Sequence, residues 1–464
     1  MRRTARAPIL AVPVKNDGKT MLVVLTCGAE SLRLKIPCVP PENADLVMEY
    51  PLPFPFAETA VEAPEAFFAA AEWRGKPAVL PDVRREPLRQ QFHFTPARGW
   101  MNDPNGLYWH DGTWHLFFQH NPLATYWNNM HWSHAESADL AHWRETGIAL
   151  YPDALGTMYS GSAWVDTANA AGFGSNAVLL FYTNAHYGGG ATQNLAYSTD
   201  GGRTFRKYSG NPLIPCLSGG CDRDPLVVFD PEAGVYRMAL YYGDDPKGCR
   251  FALFASDDLL HWRHTCDYAI PGGRECPGLA RMRDRATGEI LWVFSEANML
   301  YRTGTISPDG KVAFRSAPRR FFFGDAYAGQ RFAHAPDGRT VFIAWLRTGG
   351  GAGGTYAGSM TLPLELELVN GVLHCRPAAD APFRSVKLSG KTVFRTPLAS
   401  AEFDLEAKVL RFHGVEQTLP PELGSKAKVR LAADRLSLEI FDTEERFAAA
   451  LYLPGAEQVR IETE

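Results

Sequence analysis

One motif recurs four times between residues 135 and 314, and it constrains the fold of this chain more than any other feature. Ala135-Glu136-Ser137-Ala138-Asp139-Leu140-Ala141-His142-Trp143 is echoed by Ala255-Ser256-Asp257-Asp258-Leu259-Leu260-His261-Trp262. Looser copies run from Ala196 to Phe205 and from Gly304 to Phe314. The closing aromatics fall at 143, 205, 262 and 314, spaced 62, 57 and 52 residues apart. Each copy reads as a strand, a polar turn of Ser, Asp and in two copies Gly, and a strand closing on an aromatic, which describes a hairpin. Self-similarity at roughly one four-stranded sheet per period predicts a β-propeller, whose radial repetition leaves only short edges. With a first blade around Asn102 to Gln119, five blades fit between residues 89 and 361. Generic hairpins in a sandwich are the alternative, and they carry no reason for a period.

The flanks read differently. Residues 1–88 look like a small β module with a linker: Met21 to Leu25 and Ser31 to Ile36 are strand-like, and Phe67 to Trp73 fits a short helix or strand. Pro81-Asp82-Val83-Arg84-Arg85-Glu86-Pro87 is the expected linker, since proline and charge accumulate there. In residues 362–464, alternation in Lys428-Val429-Arg430-Leu431 and Leu436-Ser437-Leu438-Glu439-Ile440-Phe441 predicts half-buried antiparallel strands, and a C-terminal β-sandwich follows. The fold class is therefore all-β, a five-bladed propeller between two smaller β units.

Composition narrows function by exclusion. A net charge of −4 with 21% charged and 45% hydrophobic residues gives no pull toward nucleic acid or membrane, and no run of about 18 apolar residues occurs. The eight cysteines are scattered and include no Cys-x-x-Cys, so free thiols in a reducing compartment are expected rather than a disulfide or zinc framework. Residues Ala7 to Val14 are too short, and too interrupted by Pro8 and Pro13, for a secretory leader, which makes a cytoplasmic location the expectation. His131 and His134 lie beside no ligand cluster of metal-binding spacing, and packed or hydrogen-bonded histidines are the simpler account; no metal or cofactor is expected.

Three carboxylates stand out. Asp103 lies in Trp100-Met101-Asn102-Asp103-Pro104-Asn105-Gly106, Asp224 in Arg223-Asp224-Pro225 just before an apolar strand, and Glu275 in Arg274-Glu275-Cys276-Pro277-Gly278. Taken singly, each fits a surface turn or a local ion pair. In a propeller, however, equivalent blade positions converge on the central axis. A convergent set suits glycosidic cleavage: retaining hydrolysis needs a carboxylate nucleophile and a protonated carboxyl about 5 to 5.5 Å away. Mutual repulsion and partial burial are expected to raise the pKa of one member and prepare it as the acid. Pro104-Asn105-Gly106 reads as a turn that aims Asp103 down the axis.

These three motifs resemble the signatures of glycoside hydrolase family 32, the β-fructosidases. So do Phe118-Gln119-His120-Asn121-Pro122, Trp127-Asn128-Asn129-Met130-His131-Trp132, Tyr159-Ser160-Gly161-Ser162 and Met360-Thr361-Leu362-Pro363, in the family's order. The N-terminal module is similar to one ahead of levanase-type members. The resemblance implies that Asp103 is the nucleophile, Glu275 the acid/base and Asp224 the transition-state stabiliser. It places Asn102, Gln119, Trp127, Ser162 and Arg223 in the fructose subsite. Asp325-Ala326-Tyr327-Ala328-Gly329-Gln330 matches a further family loop and adds Asp325 and Gln330 as sugar contacts.

The implied activity is an exo-acting, retaining β-fructofuranosidase on sucrose, fructo-oligosaccharides, levan or inulin. Its only implied partner is a fructose-containing saccharide, and the sequence carries no sign of oligomeric state. A fructosyltransferase would share every catalytic residue. A five-bladed arabinan or xylan hydrolase would invert configuration, with its acids about 6.5 to 9.5 Å apart. A catalytically silent sugar-binding propeller would be expected to lack a triad acid. Departures from the family pattern are Gly278 where Asp is common, Arg274 where an aromatic is common, Trp345-Leu346-Arg347, and the glycine run from 349 to 354.

Overall fold

The computed structural model describes residues 1–79, 82–242, 250–347 and 354–463. Most of the glycine run, together with Pro81 and Cys249, lies outside the described residues.

The periodic region folds into five antiparallel sheets in chain order, each led by its innermost strand. Those leading strands are Gly99–His110, Gly156–Asp166, Arg223–Asp230, Gly278–Arg283 and Ala326–Arg331. They touch in a closed cycle, first to second through to fifth and back to first, which is the ring of a five-bladed propeller. The repeated motif is the outer hairpin in blades 1 to 4. In each copy a Ser hydroxyl bonds the Asp carboxylate two residues on: Ser137 to Asp139 at 3.1 Å, Ser198 to Asp200 at 2.7 Å, Ser256 to Asp258 at 3.1 Å and Ser307 to Asp309 at 2.5 Å. Three residues after the Ser the turn takes positive φ, at Leu140, Gly201, Leu259 and Gly310, and in the second copy Gly202 does so too. The period of the sequence is thus the period of one hydrogen-bonded turn.

Blade 5 extends beyond the expected boundary at 361, because Leu364–Val369 and Val372–Pro377 are its outer strands. Alternation in Leu364-Glu365-Leu366-Glu367-Leu368 looks alike in a blade and in a sandwich, so pattern alone misplaced the border. The ring closes where Tyr356–Ala357 pairs in parallel with Gly99 and Trp100 of blade 1.

The C-terminal unit is a sandwich of two five-stranded sheets around Phe394, Phe403, Leu438, Ile440 and Phe447. Lys426–Ala433 and Ser437–Asp442 fall where the alternation placed strands. One sandwich strand, Phe322–Gly324, comes from the segment between blades 4 and 5 and runs parallel to Ala448–Ala450. His93, at the entry to blade 1, is clamped into the sandwich by Asp434 and Glu439, each at 2.9 Å.

The N-terminal module has two small sheets, containing Met21–Cys27, Glu30–Ile36, Ile9–Val14 and Leu46–Pro51, and the helix Glu65–Ala70 followed by Glu72–Arg74. Its core of Leu10, Val23, Leu25, Leu34 and Phe67 also takes in Leu123 from blade 1. The linker carries a single turn of 3₁₀ helix, Val83–Arg85, capped by Asp82.

Candidate active site

Asp103 and Asp224 lie in the first halves of the leading strands of blades 1 and 3, and Glu275 lies three residues before that of blade 4, on one face of the ring. Local backbone aims each of them. Asp103 does not sit in a turn, as Pro104-Asn105-Gly106 implied. The whole run is interior to the strand Gly99–His110, whose pairing slips twice, between Met101 and Pro104 and between Asn105 and Tyr108. Such bulges re-aim side chains. The second slip needs glycine: Gly106 has φ 53, and a Cβ there would lie 2.9 Å from Trp132. Asp224 and Cys276 also hold positive φ, 66 and 53, a strain that persists only where surrounding contacts over-determine it.

The carboxylates share one small polar cage. Cys276 Sγ is 3.4 Å from Asp224 Oδ2 and 3.7 Å from Asp103 Oδ2, and the Cys276 amide donates to Asp224 Oδ2 at 3.0 Å. Ser160 donates to Asp103 Oδ2 at 2.7 Å, and Asn102 to Oδ1 at 3.1 Å. Trp100 in turn fixes Asn102 at 2.8 Å. Arg223 grips Glu275 Oε2 through Nε at 2.9 Å and Nη2 at 2.6 Å, while Tyr327 donates to Oε1 at 2.8 Å. Both oxygens of Glu275 are therefore held, and the carboxyl plane is fixed.

The electrostatics follow from crowding. Burial, reinforced by the Glu275 charge, pushes Asp103 up to about 6, against the pull of the Ser160 hydrogen bond. Burial pushes Asp224 up to about 7; Arg223 opposes this, and the charges of Glu275 and Asp103 add to it. The upward shift thus falls on two members, where the sequence reading expected one. Burial and the fields of Cys221, Asp224 and Glu275 also push the Tyr159 phenol up to about 12.

The remaining expected residues separate into those near the acids and those that are not. Asn102 and Arg223 touch the acids directly. Gln119 is buried, and with the Asn105 amide oriented to satisfy both of its atoms, Gln119 Nε2 reaches Asn105 at 2.9 Å and Asn105 reaches Ser160 at 3.2 Å. Trp127 is 52% exposed and packs edge-on to Tyr159 at 5.9 Å. Ser162 is turned away: its hydroxyl donates to Pro225 O at 2.8 Å and accepts from the Val227 amide at 2.9 Å, stitching blade 2 to blade 3. Gln330 is buried, with Nε2 on Gly161 O at 3.2 Å. Asp325 points to the sandwich, where it accepts from the Tyr452 amide at 2.9 Å, because it directly follows the strand shared with that sheet.

Ser160, Tyr327 and Cys276, next to the acids, and Glu296, which holds the amide preceding Glu275, were missed. The first three lie inside quoted motifs. Glu296 had no signal; it is buried and accepts from the amides of Arg274 at 2.6 Å, Asn298 at 3.0 Å and Leu300 at 2.8 Å, ordering the loop that bears Glu275. Gly278 is explained by close approach, since a Cβ there would meet Ser295 Oγ at 2.0 Å. Seven described cysteines are free thiols.

His131 bonds Tyr50 of the N-terminal module at 2.9 Å. His134 forms, with His115 and Glu136, a group whose potential ligand atoms lie within 4.8 Å. His115 Nδ1 and His134 Nε2 face each other at 3.0 Å in rings 5° from parallel, which is one nitrogen donating to another rather than two lone pairs converging on an ion.

A ring of five sheets with three acids at the start of its inner strands defines the class to which such a site belongs. Residues 93–377 match the model for the glycosyl hydrolases family 32 N-terminal domain, and the chain belongs to glycoside hydrolase family 32. It is 36% identical to an invertase of Schizosaccharomyces pombe over 274 residues, 55% of this chain and 44% of that protein. It is 34% identical to a levanase of Bacillus subtilis over 289 residues, 56% of this chain and 41% of that one. The chain thus spans less than half the length of these two relatives. The crystal structure of an exo-inulinase from Aspergillus awamori superposes with a TM-score of 0.70 at 22% identity, covering 82% of this chain and 96% of that chain, and shares its fold.

Proposed function

We propose that the protein is a retaining β-fructofuranosidase that releases terminal fructose from sucrose, fructo-oligosaccharides or fructan. The observation that carries this reading is the cage in which Asp103, Asp224 and Glu275 meet around Cys276, in a chain of this family. An Asp103 oxygen attacks the anomeric carbon of fructose as its bond to the leaving oxygen breaks, and Glu275 gives that oxygen its proton. The ester then yields to water: Glu275 takes the water proton, the water oxygen bonds the anomeric carbon, and Asp103 leaves. Asp224 offsets charge developing on the ring and accepts from fructose hydroxyls. With Asp103 pushed up to about 6, it is an anion at neutral pH and loses that form below.

Fructose release from sucrose, kestose, inulin and levan tests the proposal, with Asp103→Asn and Glu275→Gln beside the wild type. The Asp103 variant is expected to lose at least about a thousandfold in kcat, and the Glu275 variant to accumulate a fructosyl ester with activated substrates. Near-normal turnover by Asp103→Asn removes the nucleophile assignment. Activity on arabinosides alone removes the substrate class.

A further inference from the structure

The N-terminal module is docked on the same face of the propeller as the three acids. In an up-and-down blade, the start of the first strand lies on the same side as the link between the second and third. Those links in blades 1 and 2, residues 122–130 and 187–190, both hold the module. Asn129 makes two bonds to the backbone of Lys35, Lys35 N to Oδ1 and Nδ2 to Lys35 O, each 2.8 Å. Tyr187 donates to Arg33 O at 3.1 Å, with the Arg33 guanidinium 5.5 Å from its ring centre. Leu123, fully buried, fixes the same link into the module's core.

The strand Glu30–Ile36 is the edge of its sheet, with one rim free of strand partners among the described residues, and its contacts reach the links of two blades. Leu32, Leu34 and Ile36 point into the module, and Arg33 and Lys35 are exposed. Trp127 of the first link is 52% exposed, and Tyr187 of the second, which bonds Arg33 O, is 37% exposed. Trp127 connects to the acids through Tyr159, which feels the charges of Asp224 and Glu275. Tyr159 adjoins Ser160, the donor to Asp103, and Trp127 shares its link with Asn129, which holds the edge strand at Lys35.

We propose that this edge strand is the outer wall of the substrate cleft, and that Arg33 and Tyr187 bind sugar units on the leaving-group side beyond the one next to the scissile bond. The ligand class is a neutral fructo-oligosaccharide of several units. Aromatic rings lie against sugar C–H faces, and guanidinium and ammonium groups donate to hydroxyls. Because the wall is rigidly docked, little ordering opposes binding. The module therefore sets chain-length preference. This rests on the β-fructofuranosidase reading.

The test uses the full chain, with Arg33→Ala, Tyr187→Ala and the double variant, assayed on sucrose and on purified fructo-oligosaccharides of five or more units. For the long substrates, kcat/KM is expected to fall roughly tenfold per variant, mostly through KM, as for lost contacts held equally in ground and transition states. For sucrose it is expected to stay within about twofold. Tyr187→Phe, which keeps the ring, should retain most long-substrate activity and shows that the effect is not misfolding. Equal losses on sucrose and long substrates, or no loss on either, overturns the wall while leaving the activity intact. A wild type that releases fructose from none of these substrates overturns the underlying activity instead.

Discussion

Replacing Ser160 with alanine isolates one force acting on Asp103, the proposed nucleophile. Ser160 Oγ donates to Asp103 Oδ2 at 2.7 Å, and this bond counters the burial and the Glu275 charge that push Asp103 up to about 6. A hydrogen bond to a charged acceptor is worth about 1.5 to 3 kcal/mol net. At 1.36 kcal/mol per unit, its loss raises the Asp103 value by about one to two units, to roughly 7 or 8. The sign is fixed, since removing a donor that favours the anion leaves the anion less stable. The acid limb of the kcat/KM profile for fructose release should therefore move up by about one to two pH units in Ser160→Ala, with activity above about pH 9 close to wild type. Stopped assays across pH 4.5 to 9.5 read the limb directly. A rate reduced evenly at every pH, with the limb in place, would refute the reasoning, because it would mean that Ser160 positions something without biasing the charge on Asp103.

Two further outcomes follow from other contacts. Glu296→Ala removes the acceptor of three loop amides and should cost about 3 kcal/mol of stability and lower kcat more than it raises KM; Glu296→Gln should recover part of both, and thermal melts with steady-state kinetics compare them. His93 is held protonated between Asp434 and Glu439, whose hydrogen bonds and charges outweigh burial and push it up to about 9. Its contribution, of order 3 kcal/mol, is complete below about pH 6.5 and disappears as pH rises through about 9. The melting temperature should therefore drop between pH 7 and 10 by more in wild type than in His93→Gln; parallel curves would count against the clamp.

The ring was legible because its period is written in hydrogen-bonding residues. Ser and Asp recur where each outer turn needs them, whereas blade 5 lacks the copy and its border was misplaced. The convergence of Asp103, Asp224 and Glu275 was legible because acids beside clustered turn-forming residues are rare enough to notice. Assigning Ser162 rather than Ser160 to the site failed for a local reason. Two residues apart on a strand, both should share a face, but the pairing of Gly156–Asp166 slips between Tyr159 and Gly161. That slip sends Ser160 to Asp103 and Ser162 into the seam between blades. Asp325 was misread because motif position does not reveal that the preceding three residues belong to another sheet. Glu296 works through backbone amides, and amides carry no sequence signature.

The strand Phe322–Gly324 means that the propeller and the sandwich are woven together rather than joined end to end. Its only sheet neighbour among the described residues, Ala448–Ala450, is made more than a hundred residues later. On the ribosome, four blades can therefore be complete while the passage into the fifth still waits for a partner near the end of the chain. Tyr327, which holds Glu275, stands three residues beyond that waiting strand. A late part of the sandwich thus takes part in setting Glu275 in place, and a cut between residues 377 and 447 would reach the cage of Asp103, Asp224 and Glu275 through a missing β-partner.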